Sequence, residues 1–119
     1  GRAVADSLSL CVFPRKVMFH LFPDLLAAIM GKPCTAADLA QIGLRILTLE
    51  RLFNTREGLR REDDTLPERL LKEPLPDGPN QGSTVPLEEL KDDAYAVFGW
   101  DQQTGIPQEG LLRELGIIS

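Results

Sequence analysis

The chain has little of what a self-contained redox or metal site requires. Its 119 residues hold two cysteines, Cys11 and Cys34, and one histidine, His20, with no C-x-x-C pair. That excludes a disulfide scaffold, and one thiolate by itself cannot complete a metal site. Free thiols in this number fit a reducing, cytoplasmic compartment. A basic stripe is missing too, and the net charge of −5 argues against a nucleic-acid surface. No apolar run approaches the roughly 20 residues that a membrane span requires. The start, Gly1-Arg2-Ala3-Val4-Ala5-Asp6, lacks an initiator Met and the layout of a signal peptide, so it reads as the interior of a longer chain. No stretch alternates polar and apolar residues long enough for a sheet, and no solenoid repeat is present.

What the chain does have is helical periodicity. Apolar content of 43% with 26% charged residues is ordinary for one soluble domain with a modest core. Phe22-Pro23-Asp24 reads as a helix start, because proline suits the first turn and an acid suits the positive end of the dipole; Gly31 and Pro33 end that helix. Thr35 begins a longer one, with Asp38 placed to reciprocate in a capping box. Leu39, Ile42, Ile46, Leu49 and Phe53 follow at steps of three and four and are expected to form one core stripe. Full burial of such a stripe is worth on the order of 10 kcal/mol before ordering entropy is subtracted. Gly58 stops this helix, which is placed at 36–58.

A mixed-charge stretch comes next, Arg60-Arg61-Glu62-Asp63-Asp64, and Asp64 or Thr65 is placed to cap a short helix from Pro67 to Leu71. Prolines and glycines make 73–84 an irregular linker. Pro86 opens a helix with Leu87, Leu90, Ala94, Val97 and Phe98 as its apolar face, closed by Gly99. Trp100-Asp101 and Thr104-Gly105 form a turn, and Pro107 opens a last short helix carrying Leu111, Leu112 and Leu115. The expected fold is all-α: an irregular bundle with one long central helix, a single domain over 1–119 whose C-terminal helices occupy 85–119.

The residues with chemical potential are few. Asp6-Ser7-Leu8-Ser9-Leu10-Cys11 reads as a polar turn feeding a cysteine just ahead of a helix, with Pro14 tolerable in that helix's first turn. Turn amides and helix-start amides point at anions, so residues 1–15 are read as a cofactor-contacting turn. The ordinary alternative for either cysteine is a small buried hydrophobe. Cys34 sits just ahead of a helix start, a setting that can make a thiol reactive, yet no base partners it. His20 lies four residues before Asp24 and reads as a core or interface side chain rather than an oriented base. The run Arg60 to Arg69 reads as a salt-bridged clamp tying the loop to the long helix, and adjacent Asp63 and Asp64 are not assigned a metal.

Three segments together carry a family resemblance. Asp6-Ser7-Leu8-Ser9-Leu10-Cys11, Leu49-Glu50-Arg51-Leu52-Phe53-Asn54-Thr55-Arg56-Glu57-Gly58 and Asp63-Asp64-Thr65-Leu66-Pro67-Glu68-Arg69 resemble the C-terminal part of the tungsten-containing aldehyde ferredoxin oxidoreductases. The tail Gly99-Trp100-Asp101 with Thr104-Gly105-Ile106-Pro107 is also similar. The resemblance implies an enzyme that oxidises aldehydes to carboxylic acids on tungsten, or molybdenum, held by two pterins beside one [4Fe-4S] cluster. Ferredoxin takes the electrons. By the same resemblance, Asp6 bonds pterin ring nitrogens, Leu10 offers backbone contacts, and Cys11 ligates cluster iron. No catalytic acid or base falls in this segment, so both cofactors belong to the intact enzyme and the segment alone is expected to be inactive. Its partners are the remaining domains of that enzyme, with a homo-oligomer left open. Ser9 departs from the pattern, since the family usually has Gly there. The alternative from another class is a helical packing or subunit-interaction module without a redox role.

Overall fold

A computed structural model describes residues 2–11, 13 and 19–119. These residues form six α-helices and two short 3-10 turns, and their strand-like pairing is an isolated bridge between Trp100 and Pro107. The all-α expectation is met. The chain divides into two compact units, Gly1–Arg51 with Leu112–Ser119, and Leu52–Leu111.

The first unit contains α1 (Arg2–Ser7), α2 (Phe22–Met30) and most of α3 (Ala36–Arg56). Val4, Ala5, Phe22 and Leu39 are its buried centre, with Leu8, Phe19, Leu26 and Cys34 packed against them. The Phe19 and Phe22 rings meet at 5.3 Å with a 57° tilt, the offset geometry that the ring quadrupoles favour. α1 lies close against α3 because residue 43 is glycine: a Cβ there would stand 3.2 Å from Cγ2 of Val4. α2 begins with Pro23 in its first turn and ends at Gly31, with φ of 65°. The capping box of α3 forms as the sequence indicates. The Asp38 N–H donates to Thr35 Oγ1 at 3.2 Å, and the Thr35 N–H donates back to Asp38 Oδ2 at 2.7 Å. The helix runs for 21 residues and stops at Arg56, short of Gly58.

The core stripe expected on α3 is a correction. Leu39 is buried, but Ile42, Leu49 and Phe53 are 43%, 44% and 64% exposed. Thr48, Arg51 and Thr55 are buried instead. At 100° per residue these three lie opposite Ile42, Ile46, Leu49 and Phe53. Periodicity shows which residues share a face. It does not show what covers that face, and among the described residues nothing encloses this one.

The second unit contains α4 (Glu68–Lys72), α5 (Leu87–Phe98) and the start of α6 (Glu109–Glu114). Its centre is polar as much as apolar. Lys91 and Tyr95 are the buried residues of α5, whereas Leu90 and Val97 of the expected apolar face are exposed. The Tyr95 ring packs near Trp100 at 5.7 Å, and Phe98 stacks on Trp100 at 5.2 Å. No side chain caps α4 from Asp64 or Thr65; Pro67 occupies the N-cap position.

The mixed-charge clamp is present, but its main anchorage differs from the expectation. Arg60 does hold the end of α3, donating from Nη1 to the carbonyl of Thr55 at 2.6 Å. Arg61 reaches α5 instead, donating to Glu88 Oε2 at 2.7 Å, Asp92 Oδ1 at 2.6 Å and the Gln102 carbonyl at 2.7 Å. Lys91 closes the group through Glu88 Oε1 at 2.7 Å, and the Tyr95 hydroxyl donates to Asp64 Oδ2. Helix α5 is thus bolted to the loop before α4 by charge-assisted bonds.

Candidate functional site

The segment from Asp6 to Cys11 proves to be the C-terminal end of a helix. Asp6 and Ser7 belong to α1. The Leu10 N–H donates to the Ala5 carbonyl at 2.9 Å and the Ser9 N–H to the Asp6 carbonyl at 3.0 Å. That 6→1 and 5→2 pair is a Schellman motif, and Ser9 occupies its left-handed position with φ of 56°. The expectation that the turn amides face an anion is therefore a correction, whereas the helix-start amides expected after Cys11 fall outside the described residues. The amides of Leu8, Ser9 and Leu10 are all bonded to carbonyls of α1. What the turn offers is side chains and the Leu10 carbonyl. The helix expected after Cys11, with Pro14 in its first turn, falls mostly outside the described residues, as does the end of the 1–15 segment.

The three expected site residues are held at this one helix end. Asp6 is exposed and accepts from Arg2 Nε at 3.3 Å, one turn earlier on the same helix. Its carboxylate borders an open recess of about 460 Å³, lined by Arg2, Ser7, Ile46, Leu47 and Glu50 among others. Leu10 is exposed and lines a smaller apolar recess of about 170 Å³ with Leu8, Phe22, Leu25, Leu26 and Ile29. Cys11 is an exposed free thiol one residue past the Leu10 anchor.

Donor chemistry fits the implied groups. An exposed carboxylate accepts from ring N–H groups, and an exposed thiol supplies a soft ligand for iron. Among the described residues no group of three His, Cys, Asp or Glu side chains gathers into a metal site, so Cys11 can offer one ligand of a set completed by other residues.

The remaining candidates fall elsewhere. Cys34 is partly buried against the core, which is the ordinary reading of a cysteine. His20 is exposed on a 3-10 turn rather than in a core, and among the described residues it makes no hydrogen bond to Asp24. Two residues near the site escape the sequence reading. Arg2 stands four before Asp6, a spacing that signals a helical ion pair, and Gly43 is a mid-helix glycine of the kind that marks close packing.

An exposed thiol and carboxylate thus stand at one helix end of an all-α chain whose long helix leaves an apolar face bare. The family profile described as aldehyde ferredoxin oxidoreductase, domains 2 and 3, matches residues 1–117, and the chain belongs to that family. It is 46% identical to the tungsten-containing aldehyde ferredoxin oxidoreductase of Pyrococcus furiosus over 97% of its length. The corresponding proteins of Pyrococcus horikoshii and Thermococcus kodakarensis are 42% and 41% identical over the same share. The chain spans 19% of the length of these curated relatives. Among solved structures it is similar to a chain of the active-site complex BamBC of benzoyl coenzyme A reductase bound to 1,5-dienoyl-CoA. There the TM-score is 0.63 at 32% identity, covering 82% of this chain and 14% of that one.

Proposed function

We propose that this chain is the C-terminal helical part of an enzyme that oxidises aldehydes to carboxylic acids and passes the electrons to ferredoxin. The observation that carries the reading is the exposed pair Asp6 and Cys11, fixed at one helix end in a chain of this family. Asp6 accepts hydrogen bonds from a pterin edge, the Leu10 carbonyl adds a backbone acceptor, and the Cys11 thiolate ligates iron of a [4Fe-4S] cluster. When bound, the tungsten (or molybdenum) bis-pterin and the cluster supply the two-electron chemistry that converts an aldehyde and water to an acid. This chain's residues position those groups, and the acid/base residues of the reaction lie elsewhere in the enzyme.

The exposed face of α3 supports the same reading, because Ile42, Leu49 and Phe53 form an apolar stripe on a chain that spans a fifth of its relatives. The remaining polypeptide of the enzyme covers that face. No described helix is long and apolar enough to cross a membrane. Two free cysteines support a reducing, cytoplasmic setting.

The test is made on the full-length protein, purified without oxygen. Cys11→Ser lowers iron per protomer and removes the spectroscopic signature of an intact four-iron cluster. Unchanged iron in this variant overturns the assignment and favours a packing module without redox role.

A further inference from the structure

The recess that Asp6 borders has two walls. Gly43, Leu47 and Glu50 follow one another on α3 at steps of four and three, so they share one face. α1 approaches that face where Gly43 meets Val4. Beside this contact the two helices border the open recess of about 460 Å³. Its apolar lining comes from Ala3, Ile46 and Leu47, and its charged groups are Arg2 and Asp6 on α1 and Glu50 on α3. A mostly apolar lining with a few placed polar groups is the usual makeup of a small-molecule site, and the volume falls within the roughly 300–1,000 Å³ of such sites. The bare stripe of Ile42, Leu49 and Phe53 is different in kind, since it carries no charge and suits a neighbouring stretch of protein.

A pterin is a flat bicycle whose faces pack on hydrocarbon and whose rim carries ring N–H and amino donors. An ionised carboxylate only accepts, so Asp6 engages one part of that rim. A single point of attachment leaves the ring free to pivot. A second acceptor on the other wall fixes its direction, and Glu50 is the acceptor that α3 brings to the recess. Arg2, bonded to Asp6 Oδ2 at 3.3 Å, steadies the first acceptor from the same helix. Resting on the reading of Asp6 as a pterin ligand, we propose that the recess between α1 and α3 seats the pterin ring and that Glu50 accepts a second set of its N–H donors. The two carboxylates then hold the ring from two helices, and Ile46 and Leu47 pack against its face.

The experiment uses the full-length enzyme, purified without oxygen. Tungsten and iron are counted, and released pterin is read by the fluorescence of its oxidised form. Glu50→Ala leaves a good helix former at an exposed position, so helical circular dichroism and iron should stay at wild-type levels. Pterin and tungsten per protomer should fall together by roughly tenfold, the scale of one lost hydrogen bond to a charged acceptor. Glu50→Gln, which keeps an acceptor oxygen, should restore part of that content, and Gln41→Ala, exposed elsewhere on α3, should change nothing. Wild-type pterin content in Glu50→Ala, with Asp6→Asn depleted, overturns the role of Glu50 and leaves that of Asp6 standing. Wild-type content in both variants overturns the Asp6 reading and the Glu50 role with it, and assigns the recess to neighbouring polypeptide. Loss of iron or helical signal in Glu50→Ala also overturns the proposal, making Glu50 a packing residue.

Discussion

Gly43 and Ser9 are two small residues whose consequences run in opposite directions. Exchanging a mid-helix glycine for alanine ordinarily gains about 1 kcal/mol of helix propensity. At 43 the new methyl would meet Val4 at 3.2 Å, so α1 must give way by a few tenths of an ångström. The two effects nearly cancel for Gly43→Ala, and a small net change is expected. Gly43→Leu has no such balance. It overfills the seam by several atoms and should destabilise by roughly 1–3 kcal/mol. With Cys11 as the proposed iron ligand at the end of α1, the full-length Gly43→Leu protein should also retain less iron, which metal analysis beside a melting curve would show. Ser9→Gly acts the other way and should add about 1 kcal/mol of stability by relieving the left-handed backbone. A Gly43→Leu enzyme with wild-type melting and iron would mean that α1 does not depend on this approach.

Between one helix and the next, stability is tied to pH through two carboxylates. Asp38, which closes the α3 cap, is held below its ordinary 3.8 by the Thr35 hydroxyl and then by the Thr35 N–H. Glu88 is held below its ordinary 4.5 by Lys91 and then by Arg61. For a carboxylate lowered by folding, the unfolded chain binds more protons, so stability rises with pH across that window. The contribution is complete above the unfolded values and is lost as pH falls through the lowered folded ones. Acid unfolding should therefore steepen below about pH 4.5, and the double variant Asp38→Asn, Glu88→Gln should flatten that limb in a circular-dichroism titration. An unchanged acid limb would remove both groups from the account. The cap at Thr35 was legible in the sequence because a box is a local pattern of residues three apart. So were the stops at Gly31 and Gly99, where glycine and the end of the period coincide. The Arg61 anchorage was not, since its partners Glu88, Asp92 and Gln102 lie far along the chain. Burial of Lys91 and Tyr95 was missed for a related reason: a lysine counts as polar by type, although its stem packs well while its head group pairs. At the candidate site, sequence reading supplied the residues but misjudged their setting. It placed Asp6 in a loop because six residues of α1 carry too little periodicity to declare a helix.

Over the whole molecule, the decisive property is the two-sidedness of α3. One side buries Thr48, Arg51 and Thr55, and the other presents Ile42, Leu49 and Phe53. If the rest of the enzyme covers the second side, Phe53→Ala should have opposite weights in two contexts. In the 119-residue chain, where the ring is 64% exposed, the change should stay within about 0.5 kcal/mol. In the full-length protein the same ring is enclosed, and its loss should cost on the order of 3 kcal/mol, read as a lowered melting temperature. Equal effects in both would leave the face uncovered. A helix used from both sides also has narrow margins for drift. Neutral replacements on α3 should collect along its flanks, at exposed positions such as Gln41, Arg45 and Asn54, while both broad faces resist exchange, one guarded by its own neighbours and the other by a surface contributed from afar.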